Sequence, residues 1–209
     1  MKGKTLATLF SALVLLMSAA CSEGGMKDEF ENWQSRNDAF IDSLSQAAIR
    51  NEAQGITVST AKEGQVFRML SFKLDPDGQW GPSEYAYAVI RKSGEGGETP
   101  LYSDSVMFHY RGRLIPTPEH PDGYIFDQSY KTDTIDPFTS LPARFRIQSL
   151  VEGMGCSLIN MHRGDSWRIY IPYNLGYGTE KMNAVPACST LIFDVDLVDF
   201  AHKGEKLKK

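Results

Sequence analysis

The side chains in this 209-residue chain that could carry chemistry are few and of a restricted kind. Its four histidines, His109, His120, His162 and His202, are dispersed without ligand spacing, so no metal site is read from them. Ser129 and Ser166 have no paired base in any arrangement that activates a nucleophile. What remains is aromatic: Tyr110, Phe126, Phe145, Tyr177 and Phe193, with one acid, Asp127, directly after Phe126. Taken singly, each phenylalanine or tyrosine reads as core packing. Asp127 is harder to explain that way, because an acid at the end of an apolar strand costs stability unless it is paired. Dry aromatic walls with a few polar groups support non-covalent chemistry: holding a ligand, not attacking it.

Three stretches must position Tyr110, Phe126, Asp127 and Tyr177: SVMFHYRGRLI (105–115), GYIFDQSY (123–130) and WRIYIPYNLGYG (167–178). Each is a strand-like run of β-branched and aromatic residues leading into a turn. Period-two alternation places Val106, Phe108 and Tyr110 on one strand face, and Trp167, Ile169 and Ile171 on one face of another. In the last run, TLIFDVDLVDF, Phe193, Val195 and Leu197 alternate with Ile192, Asp194, Asp196 and Val198. That pattern predicts an antiparallel sheet with one covered and one wet face.

Taken in order, VMFHYRGRL, IFDQS, LPARF, LVEGM, RGDSWRIYIPYNLGYG and VPACSTLIFDVDLVDF resemble the FKBP-type peptidyl-prolyl isomerases, over roughly 84–201. The resemblance implies an α+β fold, a twisted antiparallel sheet of five or six strands wrapped on a short helix. It also implies an activity, cis-trans isomerisation of X-Pro bonds during the folding of exported, proline-containing polypeptides. The rotation barrier is ~18–20 kcal/mol because amide resonance must be broken, and binding the twisted amide better than either planar form lowers it without a cofactor or metal.

Carried over residue by residue, the resemblance makes Tyr110, Phe126, Phe145 and Phe193 aromatic walls and Asp127 a buried acid bonded to Tyr110. Tyr177 becomes a hydroxyl donor, and Leu150 and Val151 the loop into the short helix, with the Val151 N–H on a substrate carbonyl. Val185 lines the flap. The expected catalytic set is therefore Tyr110, Phe126, Asp127 and Tyr177; the substrate-binding set is Phe145, Leu150, Val151, Met154, Val185 and Phe193. Met154 stands where the best-known relatives have a tryptophan floor, and Ala143 widens one wall. These departures keep a second reading open, a non-catalytic peptide-binding or chaperone module using the same groove.

The rest of the chain is read from its residues. Lys2 and Lys4 precede an apolar run, 6–17, too short to span a bilayer, then Ser18, Ala19, Ala20 and Cys21. This has the form of a bacterial lipoprotein signal, 1–20, lipidated at Cys21 and holding the protein at the cell envelope. The alternative is an ordinary export signal, since Ser18 stands where leucine is usual. A tether and an amphipathic helix follow within 21–55. The helix is expected over 28–54 and ended by Gly55, with a stripe of Phe30, Trp33, Phe40, Ile41, Leu44 and Ala48 that Asn37 interrupts. Its partner is either a second copy, giving a homodimer, or the chain's own domain.

Segment 56–83 is an uncertain strand and turn, and 202–209 a polar tail. Net charge of −4 with no basic stripe excludes a general nucleic-acid binder. Cys156 and Cys188 could pair in an oxidising compartment, but spacing alone does not place them within bridging range, and they are read as free thiols. Two loops, 115–122 and 131–141, are expected at the pocket mouth.

Overall fold

The computed structural model describes residues 29–208. The signal 1–20, Cys21 and the tether up to residue 28 lie outside the described residues.

Helix α1 runs Trp33–Glu52. It starts later than the 28–54 expected because Asn32 takes a left-handed conformation (φ 54°), which halts helical propagation upstream. At the other end Gly55, at φ 79°, supplies the left-handed residue that stops the chain from continuing as helix. Strands β1 (Val66–Leu70), β2 (Tyr85–Lys92), β3 (Ser105–Arg113), β4 (Ile125–Gln128) and β5 (Ala143–Arg146) precede the short helix α2 (Glu152–Leu158). Strands β6 (Ser166–Ile171) and β7 (Leu191–Ala201) complete the described fold.

The seven strands form one antiparallel sheet in the order β1-β2-β6-β7-β3-β4, with β5 also on β3. That is more than the five or six expected, and it begins at Val66, within the segment read as uncertain. The free edge of β3 is shared: β4 pairs with its 111–113 end and β5 with its 105–108 end. This sharing places Asp127 and Phe145 on either side of Tyr110.

Pairing fixes two faces. Ala88, Ile169 and Phe193 lie in register on one, Tyr87, Tyr170 and Ile192 on the other. Helix α2 covers the first. Gly153 permits its close approach, since a Cβ there would sit 2.4 Å from Ile171 Cγ2.

The second face is covered at the start of β7 and wet only toward its end, where Asp196 is half-buried and Val198 exposed. Ile192 and Asp194 are 8% and 5% exposed. Helix α1 packs there, with Ile41 and Ala48 on Tyr87 and Phe40 5.9 Å from the Tyr170 ring. Of the two partners open to the helical stripe, the structure therefore supplies the chain's own domain.

Asn37 does not interrupt the stripe but lies at its centre, fully buried. Its amide accepts the Thr190 N–H at 2.7 Å and donates to the Trp33 carbonyl, while Trp33 Nε1 donates to Ser189 Oγ at 2.8 Å. Buried polar groups persist when paired in this way.

The two loops also differ from expectation. Loop 115–122 turns toward α1, where Thr117 Oγ1 donates to Glu29 and Arg36 donates to the Pro116 carbonyl. Loop 131–141 bridges β4 to β5 and extends outward, leaving Phe138 94% and Leu141 80% exposed. Neither loop lines the pocket described next. Cys156 and Cys188 are buried free thiols, and burial pushes the Cys156 thiol up to about 11.

Candidate active site

A cavity of about 230 Å³ opens between the α2 face of the sheet and the start of α2. Its floor is Met154, 3% exposed, projecting from the first turn of α2. Phe108, Tyr110, Phe145 and Phe193 form the walls. The Tyr110 ring stands 6.1 Å from Phe193, tilted, and 6.3 Å from Phe145, edge-on, and Phe108 lies 5.6 Å from each of Tyr110 and Phe145. Offset and edge-on pairs of this kind stabilise one another beyond simple burial, so the walls are mutually fixed.

The polar groups sit at the rim. Tyr110 donates its hydroxyl to Asp127 Oδ2 at 2.8 Å, and Asp127 Oδ1 accepts the Gln128 N–H at 2.9 Å. Burial, and then the bond to Asp127, push the Tyr110 phenol far above its ordinary value. Burial, and then the charge of Asp127, raise that of Tyr177. Both phenols therefore stay protonated around neutrality and remain donors. The Val151 carbonyl accepts from the Met154 and Gly155 amides at the start of α2. The Val151 N–H has no acceptor among the described residues, and Val151 lines the cavity.

The structure thus brings together Tyr110, Asp127, Phe145, Leu150, Val151, Met154, Tyr177 and Phe193. It does not bring Phe126 or Val185 to the cavity surface. Phe126 packs behind the wall, edge-on to Phe193 at 5.5 Å, because Gly112 between them has no side chain. Val185 is 3% exposed within the core, bridged to Met182. Asp127 is exposed, not the buried acid that the resemblance implies, because β4 is the outermost strand and turns this residue to solvent.

Two lining residues, Phe108 and Ser149, were not singled out from the sequence. The signal for Phe108 was present: it shares a strand face with Tyr110 two residues on. Ser149 had none. It sits in a 3-10 turn, Ile147–Ser149, whose place is set by the β5–α2 connection.

Among the described residues no group of three or more His, Cys, Asp and Glu is arranged to hold a metal ion. The arrangement has room for an apolar ring over Met154 and presents phenol and backbone donors beside it.

Comparisons with known proteins agree with this geometry. Residues 96–198 match the model of the FKBP-type peptidyl-prolyl cis-trans isomerase family. The FKBP-type peptidyl-prolyl cis-trans isomerase FkpA of Buchnera aphidicola (from Acyrthosiphon pisum) is 35% identical over 111 residues, covering 53% of this chain and 40% of that protein. The macrophage infectivity potentiator of Trypanosoma cruzi is 34% identical over 143 residues, covering 68% of this chain and 65% of that one. The chain thus spans less than two thirds of the length of these curated relatives. A peptidyl-prolyl cis-trans isomerase from Pseudomonas syringae, solved by crystallography, shares the fold with a TM-score of 0.54 at 24% identity, over 85% of this chain and all of that one. Residues 96–198 are thus a segment of the FKBP-type peptidyl-prolyl cis-trans isomerase family.

Proposed function

We propose that this chain is a peptidyl-prolyl cis-trans isomerase acting on proline-containing polypeptides. One observation carries the reading: an apolar cavity floored by Met154 whose polar groups, Tyr110, Asp127, Tyr177 and the Val151 N–H, all lie on its lining. The proline ring seats on Met154 between Tyr110, Phe145 and Phe193. The Val151 N–H and the Tyr177 hydroxyl hold carbonyls on either side of the bond. The twisted amide loses its resonance and hydrogen-bonds poorly with water in a dry cavity, so aromatic walls favour it over the planar forms. A thousandfold acceleration needs ~4 kcal/mol of such preference, since each tenfold is ~1.36 kcal/mol.

The test is isomerisation of a peptide with an apolar residue before proline. Acceleration over the uncatalysed rate is expected. A chain that suppresses aggregation of an unfolded client at micromolar concentration without accelerating isomerisation would replace this reading by the non-catalytic binding module. The exposed Phe138 and Leu141 favour some client-holding beside catalysis.

We further infer that the protein is exported and anchored by lipid at Cys21, working at the envelope on exported chains. The pattern of 1–21 supports this. No helix among the described residues is long and apolar enough to cross a membrane. Labelling with a palmitate analogue should mark the wild type and not Cys21→Ser. A homodimer through helix 28–54 would have to form on the outward side, where Ile49 is 49% exposed, because Trp33, Ile41 and Ala48 are buried within the chain. Sedimentation that changes on Ile49→Lys would support it; an unchanged monomer would exclude it.

A further inference from the structure

The sheet face opposite the isomerase cavity carries a second cleft, of about 470 Å³, between α1, β6 and the 115–122 loop. Beside it lies a saturated carboxylate. Asp194 Oδ1 meets Arg168 Nε at 2.6 Å and Arg91 Nη1 at 3.1 Å, and Oδ2 meets Arg168 Nη2 and Arg113 Nη1, each at 2.9 Å. A carboxylate has about four lone-pair sites, whereas each guanidinium has five N–H donors. Asp194 is therefore full, while most donors of Arg91 and Arg113 have no acceptor among the described residues.

Charge points the same way. Arg113 and Arg168 line the cleft and Arg91 meets them at Asp194 from outside its lining; counted together with Asp194 and Asp122, the one acid lining the cleft, the five groups carry a net charge of +1 (3 − 2). Phe40, Tyr170 and Ile192 wall the cleft, and apolar walls strengthen the field that an anion meets there. Guanidinium donors match phosphate oxygens in geometry.

The position of the cleft selects the source of that phosphate. Glu29 is bonded to Thr117, in the loop that lines the cleft through Pro116 and Pro121. Cys21 lies eight residues before Glu29, at most roughly 28 Å of extended chain. This last step rests on the lipid-anchor reading. We propose that the cleft at Arg113 and Arg168 binds the phosphate of an anionic phospholipid headgroup, seating this face on the membrane and turning the isomerase cavity toward solvent.

The test uses the full chain as Cys21→Ser, so that no attached lipid contributes. Binding is compared on phosphatidylcholine vesicles and on vesicles containing phosphatidylglycerol. Binding about fivefold tighter to the anionic vesicles is expected, the preference due to one surface charge. Arg113→Gln with Arg168→Gln should abolish the preference. Because that pair also frees buried Asp194, Asp122→Asn is the second variant: it leaves the arginine cluster intact and should raise the preference about fivefold more. Asp133→Asn, an exposed acid in the loop after β4, should change nothing.

Equal binding to both vesicles overturns the proposal, as does an Asp133→Asn effect equal to that of Asp122→Asn. Binding of inorganic phosphate alone as tightly as the anionic vesicle makes free phosphate the ligand and overturns the membrane seat. If wild type takes no palmitate label while the preference for anionic vesicles holds, the anchor reading fails and the cleft stands.

Discussion

Tyr110 donates its hydroxyl to Asp127 Oδ2 over 2.8 Å, across two strands and 17 residues of sequence. The pairing of Gly112 with Asp127 places the acid beside Tyr110's own strand, and the Gln128 N–H holds its other oxygen. An exposed acid gains a fixed rotamer this way, and the phenol is aimed along the cavity wall.

Removing either partner should therefore loosen the same wall. Tyr110→Phe and Asp127→Leu are each expected to lower kcat/KM for prolyl isomerisation about fivefold to tenfold, the loss of one hydrogen bond of about 1 kcal/mol. The double variant should cost little more than either single change, because one bond is shared. Additive losses in a double-mutant cycle would show that the two act separately.

Gly112 is expected to tolerate no side chain. A Cβ there would lie 2.7 Å from the rings of both Phe126 and Phe193, which close over it. Gly112→Ala should lower stability by roughly 1–3 kcal/mol through overpacking, read by urea denaturation, and displace the Phe193 wall. A variant as stable as wild type would mean that the rings are free to move apart.

Asn37 ties α1 to the strand before it reaches the cavity. Asn37→Ala leaves the buried Thr190 N–H without its acceptor, and about 2 kcal/mol of stability should be lost. Hydrogen exchange at the Thr190 amide should accelerate more than exchange within β3. Uniform acceleration would instead mean that the whole fold is loosened.

Stability should fall in alkali. Burial pushes the Tyr87 phenol from its ordinary 10.0 up to about 12, opposed in part by the Ser45 side chain. Burial likewise raises Tyr110, Tyr170 and Tyr177. The unfolded chain releases these protons above pH ~10 while the fold retains them, so the contribution is complete below that pH and lost as pH rises through the folded values. For Tyr87 alone the loss by pH ~11 is about 1 kcal/mol. Thermal unfolding across this range should show the decline, with a shallower slope in Tyr87→Phe; equal slopes would remove Tyr87 from the account.

The sequence by itself determined the antiparallel strands, the short helix, the amphipathic stripe of α1 and most of the cavity lining. Each is written in local periodicity or in ordered motifs: Tyr110 and Phe193 alternate inward on their strands whatever surrounds them. Only the tertiary structure decided what lies against each face. Alternation in β7 shows that Asp194 and Phe193 point to opposite sides, but not that Arg91, Arg113 and Arg168 converge to bury Asp194. Asn37 looks like a break in a stripe until Thr190, 153 residues away, is seen to need its acceptor. Phe126 reads as a wall until Gly112 lets it slip behind Phe193. Burial and pairing are set by residues distant in the chain, and a local pattern carries no record of which distant residue arrives.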